Sequence, residues 1–206
     1  MHSRNGRPSM AEGVALGLVA TGAVSIGIGS IVGAVVTGVE LFGSPITVDL
    51  PVHGSPVPAL TEASGVAAAS YTQSLVSLEN LDAGARWLLL LERALPALAT
   101  VIVCAALWWL GLSLIRQRAF RRSMVPTLGT AAIALVVAGM IGPLLGALGR
   151  AQVVEELSSS GADVSEFWAF LFSADLAPVG WGIALALVAT AFEVGQRLQR
   201  ETEGLV

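Results

Sequence analysis

Lysine is absent from this sequence, cysteine occurs once and histidine twice. Charge of either sign is scarce: 13% of residues are charged, against about a quarter in an average soluble domain. A chain so poor in charge lacks the residues for a dispersing polar shell. The lone Cys104 excludes an internal disulfide and any multi-cysteine metal site. His2 and His53 fall in segments assigned below to opposite sides of a membrane, so they cannot share a metal, and no cofactor is expected. A net charge of -4 gives no reason to expect direct contact with nucleic acid. A Walker loop, a Gly-x-Ser-x-Gly elbow, a His-Glu-x-x-His pair and a Cys-x-x-Cys pair are all missing, so no enzyme is expected. All eleven basic residues are arginine, a bias common in bacteria of high genomic GC content that carries no mechanism.

What is present is apolar: 54% of residues are hydrophobic, gathered into four uncharged runs at 14–39, 94–115, 123–149 and 176–192. A helix needs roughly 20 such residues to cross about 30 Å of hydrocarbon. The first three runs are long enough, and the fourth, of about 17, needs its flanking residues or a thinned bilayer. The expected fold is an all-α membrane protein with four transmembrane helices. Arg4 and Arg7 precede the first run like the positive region of a signal peptide. That run is about twice the usual apolar region of a signal peptide and no clear small-x-small cleavage site follows, so it is expected to remain as an anchor.

Positively charged short loops stay in the cytoplasm. With both termini inside, Arg4, Arg7, Arg116, Arg118, Arg121, Arg122, Arg197 and Arg200 are cytoplasmic, leaving Arg86, Arg93 and Arg150 outside with most of the acidic residues. The expected order is a cytoplasmic terminus 1–12, a first span 13–39, an extracytoplasmic cap 40–85 and a second span 86–115. A cytoplasmic arginine loop 116–122, a third span 123–149, an outer loop 150–175, a fourth span 176–194 and a cytoplasmic tail 195–206 follow.

In the cap, Ile46, Val48, Leu50 and Val52 alternate with Thr47, Asp49 and Pro51, the period of a half-buried strand, with Pro51 marking an edge. Turn residues follow at His53-Gly54-Ser55-Pro56 and Pro58, and a second extended run over 66–78 returns antiparallel, giving a small β-hairpin-like cap between the first and second helices. Asn80 or Asp82 is placed to cap the second helix, which rises about 45 Å from Arg86 to Arg116 and sets Glu92 and Arg93 near headgroup depth. The interfacial residues are Trp87 and, in the outer loop, Phe167, Trp168, Phe170 and Phe172, read as an anchor along the outer surface or, alternatively, as a partner site. Ser173 or Asp175 caps the fourth helix, with Pro178 in its first turn.

The first helix repeats a small residue at every fourth position: Gly13, Gly17, Thr21, Ser25, Gly29, Gly33 and Thr37. Such rows let helix backbones approach closely. Four residues turn a helix through about 400°, so the row drifts about 40° per step and one straight partner meets only part of it. The third helix has a similar row at Ala134, Ala138, Gly142 and Gly146, with Pro143 expected to kink its outer end. Both rows are read as packing the four helices against one another, with an oligomer interface as the alternative. His53 reads as a solvated turn residue, Cys104 as a small packing residue, and the Arg116 to Arg122 cluster as topogenic, with lipid or partner binding as its alternative.

The segments Phe120-Arg121-Arg122-Ser123-Met124-Val125-Pro126-Thr127-Leu128-Gly129 and 192–206, which opens Phe192-Glu193-Val194-Gly195-Gln196-Arg197, are similar to a family of four-helix bacterial membrane proteins known as a domain of unknown function. Together with the span spacing the resemblance covers most of the chain. Members show a Gly-x-x-Phe opening to the cytoplasmic loop, where this chain has Arg116-Gln117-Arg118-Ala119-Phe120. Members are often encoded beside a small helix-turn-helix regulator, so the resemblance implies a membrane component that holds or signals to such a regulator in the bacterial inner membrane. Glu193 with Arg197 and Gln196 with Arg200 lie one helical turn apart and, with the arginine loop, form the candidate contact for that partner.

No run has an ionisable residue near its centre, where ion-coupled carriers place one. The expected function is therefore a non-enzymatic regulatory or signalling membrane protein. The alternatives are an accessory subunit of a larger membrane complex and a lipid or small-molecule transporter.

Overall fold

The computed structural model describes residues 10–58, 65–115 and 124–203. Four long helices and one two-stranded sheet follow in the order α1 (Met10–Phe42), β1 (Ile46–Pro56), β2 (Ser70–Leu78), α2 (Ala83–Ile115), α3 (Met124–Ser159) and α4 (Ala177–Glu203). Among the described residues each helix contains a segment long and apolar enough to cross a membrane: Gly17–Phe42, Ala83–Ser113, Val125–Ser159 and Ala177–Gly195. The chain is therefore a mostly helical, four-helix protein of the multi-pass membrane type, with a small antiparallel sheet.

Helices outlast their apolar runs. α3 continues to Ser159 instead of ending at 149, because Val153, Val154 and Leu157 supply an apolar stripe after the uncharged run has stopped. It ends in a Schellman arrangement at Gly161 (φ 88°), where Ala162 N–H donates to the Leu157 carbonyl and Gly161 N–H to that of Ser158. The polar stretch at 158–161 is thus a helix terminus. α3 is also unbroken at Pro143, and α4 continues into the segment read as a tail.

The residues fall into two compact units. The helical unit takes the described residues of Met1–Gly33, Leu95–Gly139 and Leu176–Val206; the hairpin unit takes those of Ala34–Ala94 and Met140–Asp175.

In the helical unit small residues are inside. Ala99, Ala131, Ala132 and Ala138 are buried, while Leu18 (70% exposed), Ile133 and Leu187 point outward. Gly182 brings α4 against α3: a methyl group there would lie 2.8 Å from the Ala132 carbonyl oxygen and 2.8 Å from Val136 Cγ2. A methyl on Gly27 would meet Cys104 Cβ at 3.6 Å, so the one cysteine is indeed buried beside a helix contact. Hydroxyls in apolar surroundings need an acceptor, and helix carbonyls provide it: Thr100 Oγ1 donates to Pro96 O at 2.9 Å and Thr190 Oγ1 to Ala186 O at 3.0 Å.

In the hairpin unit large residues are inside. β1 and β2 pair antiparallel from Ile46↔Leu78 to Pro51↔Gln73, and the β1 alternation turns Ile46, Val48, Leu50 and Val52 inward. Ile46, Val48 and Leu50 pack with Leu41 of α1, Leu81 just before α2, Ala85 and Leu89 within it, and Val153 and Val154 of α3. Asp82 caps α2, its Oδ2 accepting the Gly84 N–H at 2.7 Å, and Glu156 Oε2 accepts the Asp82 N–H at 3.2 Å. The register shifts between Pro51 and Ser55, where Gly54 has φ 79°. This bulge releases Val52 and His53 to pair elsewhere: Val52 bridges Phe167, His53 N–H donates to Glu166 O at 2.8 Å, and Trp168 N–H donates to Pro51 O at 3.0 Å.

Candidate functional site

The hairpin unit contains a cleft of about 530 Å³. Its walls are the end of α1, the connection through Ser44 and Pro45, the start of β1, Leu89, Glu92 and Arg93 of α2, and Arg150 of α3. Three carboxylates, Glu40, Asp49 and Glu92, and two guanidinium groups, Arg93 and Arg150, line it.

These five groups differ sharply in how they are held. Arg150 and Glu92 form a bidentate pair, Nη1 to Oε2 at 3.0 Å and Nη2 to Oε1 at 2.9 Å, with both side chains about one-fifth exposed. The fork geometry and partial burial make this the strong contact of the site. Gly146 lies one turn before Arg150 on α3, and a Cβ there would collide with the Glu92 carboxylate. Its missing side chain is the space the carboxylate occupies. Arg93 and Asp49 meet at 3.8 Å and are both far more open, a contact worth little by itself. The Glu40 carboxylate is exposed and has no partner among the described residues.

The cleft also has a defined place along the chain. Glu40 follows the uncharged run 14–39, Arg93 precedes 94–115 and Arg150 follows 123–149. Three helices thus present the first charge beyond their apolar runs to one cavity. By sequence Glu92 and Arg93 fall near headgroup depth and Arg150 opens a loop. The signal available was the run-ending charge itself, but the pairing of Glu92 with Arg150 joins positions 58 apart and depends on how α2 and α3 are rotated.

The small-residue rows divide. On α3, Ala138, Gly142 and Gly146 are buried and Ala134 is half-buried. On α1, Gly17, Thr21, Ser25, Gly29 and Gly33 are exposed, Thr37 is half-buried, and a methyl group at Gly17, Gly29 or Gly33 would meet nothing within 4 Å. The face of α1 that turns inward is Ala20, Ala23, Gly27, Ser30, Ala34, Thr37 and Leu41. Those positions alternate steps of three and four, averaging 3.5, whereas a strict step of four leaves that face by drifting around the helix. Gly13 lies within α1.

Of the aromatic residues, Trp87 is exposed and meets Phe42 edge-on, with ring centroids 5.2 Å apart. Phe167 packs against the core instead of lying at the surface, because its backbone is fixed by the bridge to Val52. Trp168 lies over His53 at 3.9 Å, while Phe170 and Phe172 are exposed. His53 is therefore a strand residue beside a bulge rather than a turn residue. Arg116, Arg118, Arg121 and Arg122 lie outside the described residues. Glu193 and Arg197 are exposed on α4, which also carries Arg200.

Among the described residues no group of three or more His, Cys, Asp or Glu is placed to hold a metal ion. No protein-family model, curated protein or solved structure matches the chain. The class that fold and site define is a multi-pass helical membrane protein carrying a hairpin unit with a charged cleft.

Proposed function

We propose that the chain is a non-enzymatic regulatory or signalling component of the bacterial inner membrane, with both termini in the cytoplasm and the hairpin unit outside. The observation that carries this reading is the cleft: a cavity lined by charges of both signs, built on a packed core where three helices leave their uncharged runs. Such a unit is suited to bind on one side of a membrane while the helices carry the consequence to the other. The arginine distribution supports the orientation, and the resemblance to a family encoded beside helix-turn-helix regulators suggests the partner class, docking on the arginine loop and the Glu193 to Arg200 stretch. The second reading, an accessory subunit of a larger membrane complex, draws on the α1 row, where a methyl group on Gly17, Gly29 or Gly33 would meet nothing within 4 Å among the described residues.

Purification in mild detergent with mass spectrometry of co-eluting proteins separates the readings. A transcriptional regulator supports the first, stoichiometric membrane subunits support the second, and a partner-free monomer overturns both. Orientation is tested separately by labelling Thr72→Cys in a Cys104→Ser background with an impermeant maleimide. Labelling of intact cells is expected, and labelling only after lysis would reverse the topology.

A further inference from the structure

The cleft's charges are unequal in a way that specifies a ligand. Arg150 is occupied by Glu92 through both of its terminal nitrogens, so it offers no free fork to an anion. Of the two cations lining the cleft among the described residues, Arg93 is held only by a long 3.8 Å contact, to an Asp49 that is itself about half exposed. Glu40 adds a carboxylate with no partner among the described residues. The cleft therefore presents one loosely held guanidinium beside two available carboxylates, and carries a net negative charge with three acidic groups against two basic ones. An anionic ligand would face that excess. A ligand with a phosphate and a nearby ammonium would meet complementary groups for both, the phosphate on Arg93 and the N–H donors on Glu40 and Asp49.

Depth supplies the second half of the argument. Glu40, Arg93 and Arg150 are each the first charge beyond an uncharged run, so the cavity lies where the helices pass from hydrocarbon into headgroups. Its volume of about 530 Å³ is in the range of small-molecule sites. From this we propose that the cleft binds the headgroup of an amine-bearing zwitterionic phospholipid, phosphatidylethanolamine in chemistry. The inference rests on the membrane-spanning reading of the four helices and is independent of which protein the chain engages. A quaternary amine offers no N–H to the carboxylates, and a glycerol headgroup offers no positive charge, so both bind less well.

The test is native mass spectrometry of the full chain released from detergent, titrated with phosphatidylethanolamine and phosphatidylglycerol of identical acyl chains. Wild type is expected to retain about fivefold more of the ethanolamine lipid, the scale of one partly exposed ion pair. Glu40→Gln should bring the two lipids within about a factor of two, and Arg93→Gln should lower ethanolamine-lipid retention about threefold. Glu40 and Arg93 are exposed, so both variants are expected to keep the wild-type circular dichroism. Equal retention of the two lipids by wild type, or a preference that survives Glu40→Gln, overturns the proposal. Glycerophosphoethanolamine, the same headgroup without acyl chains, distinguishes the source: displacement of the lipid at equal concentration assigns the site to a free solute and overturns the lipid assignment. Resistance of wild type to carbonate extraction from membranes checks the spanning reading independently, and release into the supernatant would remove the basis of both.

Discussion

In the core beneath the hairpin the side chains that vanish from the surface are large, with Ile46, Leu50 and Val153 fully buried. In the helical unit the buried residues are mainly alanines, and the large aliphatic ones face out. The two patterns answer different solvents. Water drives large apolar groups together, so the hairpin core is a small version of a soluble protein's interior. Hydrocarbon gives no such drive between helices, and contact is gained by small residues that bring backbones close. The boundary between solvents does not coincide with the boundary between compact units: Val35, Val39, Ile141 and Leu144 belong to the hairpin unit yet point outward on helix segments.

If this contrast is right, truncation should be costly in the hairpin core and cheap on the outward face of the helical unit, where enlargement at a close helix contact is the costly change. Leu50→Ala, which empties a fully buried site, is expected to cost about 3 kcal/mol, whereas the same chemistry at the outward Ile133 in the helical unit should cost less than about 0.5 kcal/mol. Thermal denaturation in detergent measures both, and equal losses would break the comparison. Enlargement gives the converse. Gly182→Ala sets a methyl against the Ala132 carbonyl, which is backbone and cannot swing aside, for about 2 kcal/mol. Gly29→Ala, with open space around it, should leave the chain's own stability unchanged.

The same contrast explains which features are legible in the sequence. The four apolar runs and the β1 alternation were legible because each reports a solvent boundary directly, by hydropathy or by a period of two. The antiparallel return of β2 followed from a single hairpin, although Ser70, not Val66, begins the strand. Helix ends were less legible: α3 crosses the point where its charges begin, since the hydrogen-bonded ladder responds to capping at Gly161 and not to the change of solvent. The α1 row is plain in sequence, yet from Gly17 to Gly33 it lies outside the packed face and meets it only at Thr37, because a repeat of four and a seam of 3.5 diverge over a long helix. The cleft was legible only in pieces, as three run-ending charges whose meeting in one cavity is a property of the fold.

The Glu92–Arg150 pair is neither fully buried nor open, and its cost should lie between those of a buried and an exposed ion pair. With both side chains about one-fifth exposed, Arg150→Gln is expected to lose about 1–2 kcal/mol, less than the roughly 3–5 kcal/mol of a fully buried pair. Arg93→Gln, breaking the open contact with Asp49, should lose less than about 0.5 kcal/mol. Gly146→Ala pushes the Glu92 carboxylate from its place and should act through the same pair. A double-mutant cycle of Gly146→Ala with Arg150→Gln should then be strongly non-additive. Additive losses would show that Gly146 serves α2–α3 packing without regard to the ion pair.

The smallest expected effect belongs wholly to the aqueous side. Asp163 is fully exposed, and hydrogen bonds from the Ser165 side chain and then from its backbone N–H, which donates to Oδ1 at 3.0 Å, hold its carboxyl below the usual carboxylate range against a slight opposing desolvation. Because the folded value is the lower one, the stabilisation is present above the unfolded value of about 3.9 and is lost as pH falls through the folded value. The turn at Asp163 leads directly into Glu166, Phe167 and Trp168, which pair with the bulged part of β1. Acid should therefore speed amide exchange at Ser165, beyond the intrinsic pH dependence, before it affects Leu50 in the core, and Asp163→Asn should remove that early step. A carboxyl titration of Asp163 by NMR with a midpoint at or above about 3.9 would contradict the assignment. A midpoint below it would mark this segment as the water-facing part of the hairpin unit whose order depends on charge rather than on apolar burial.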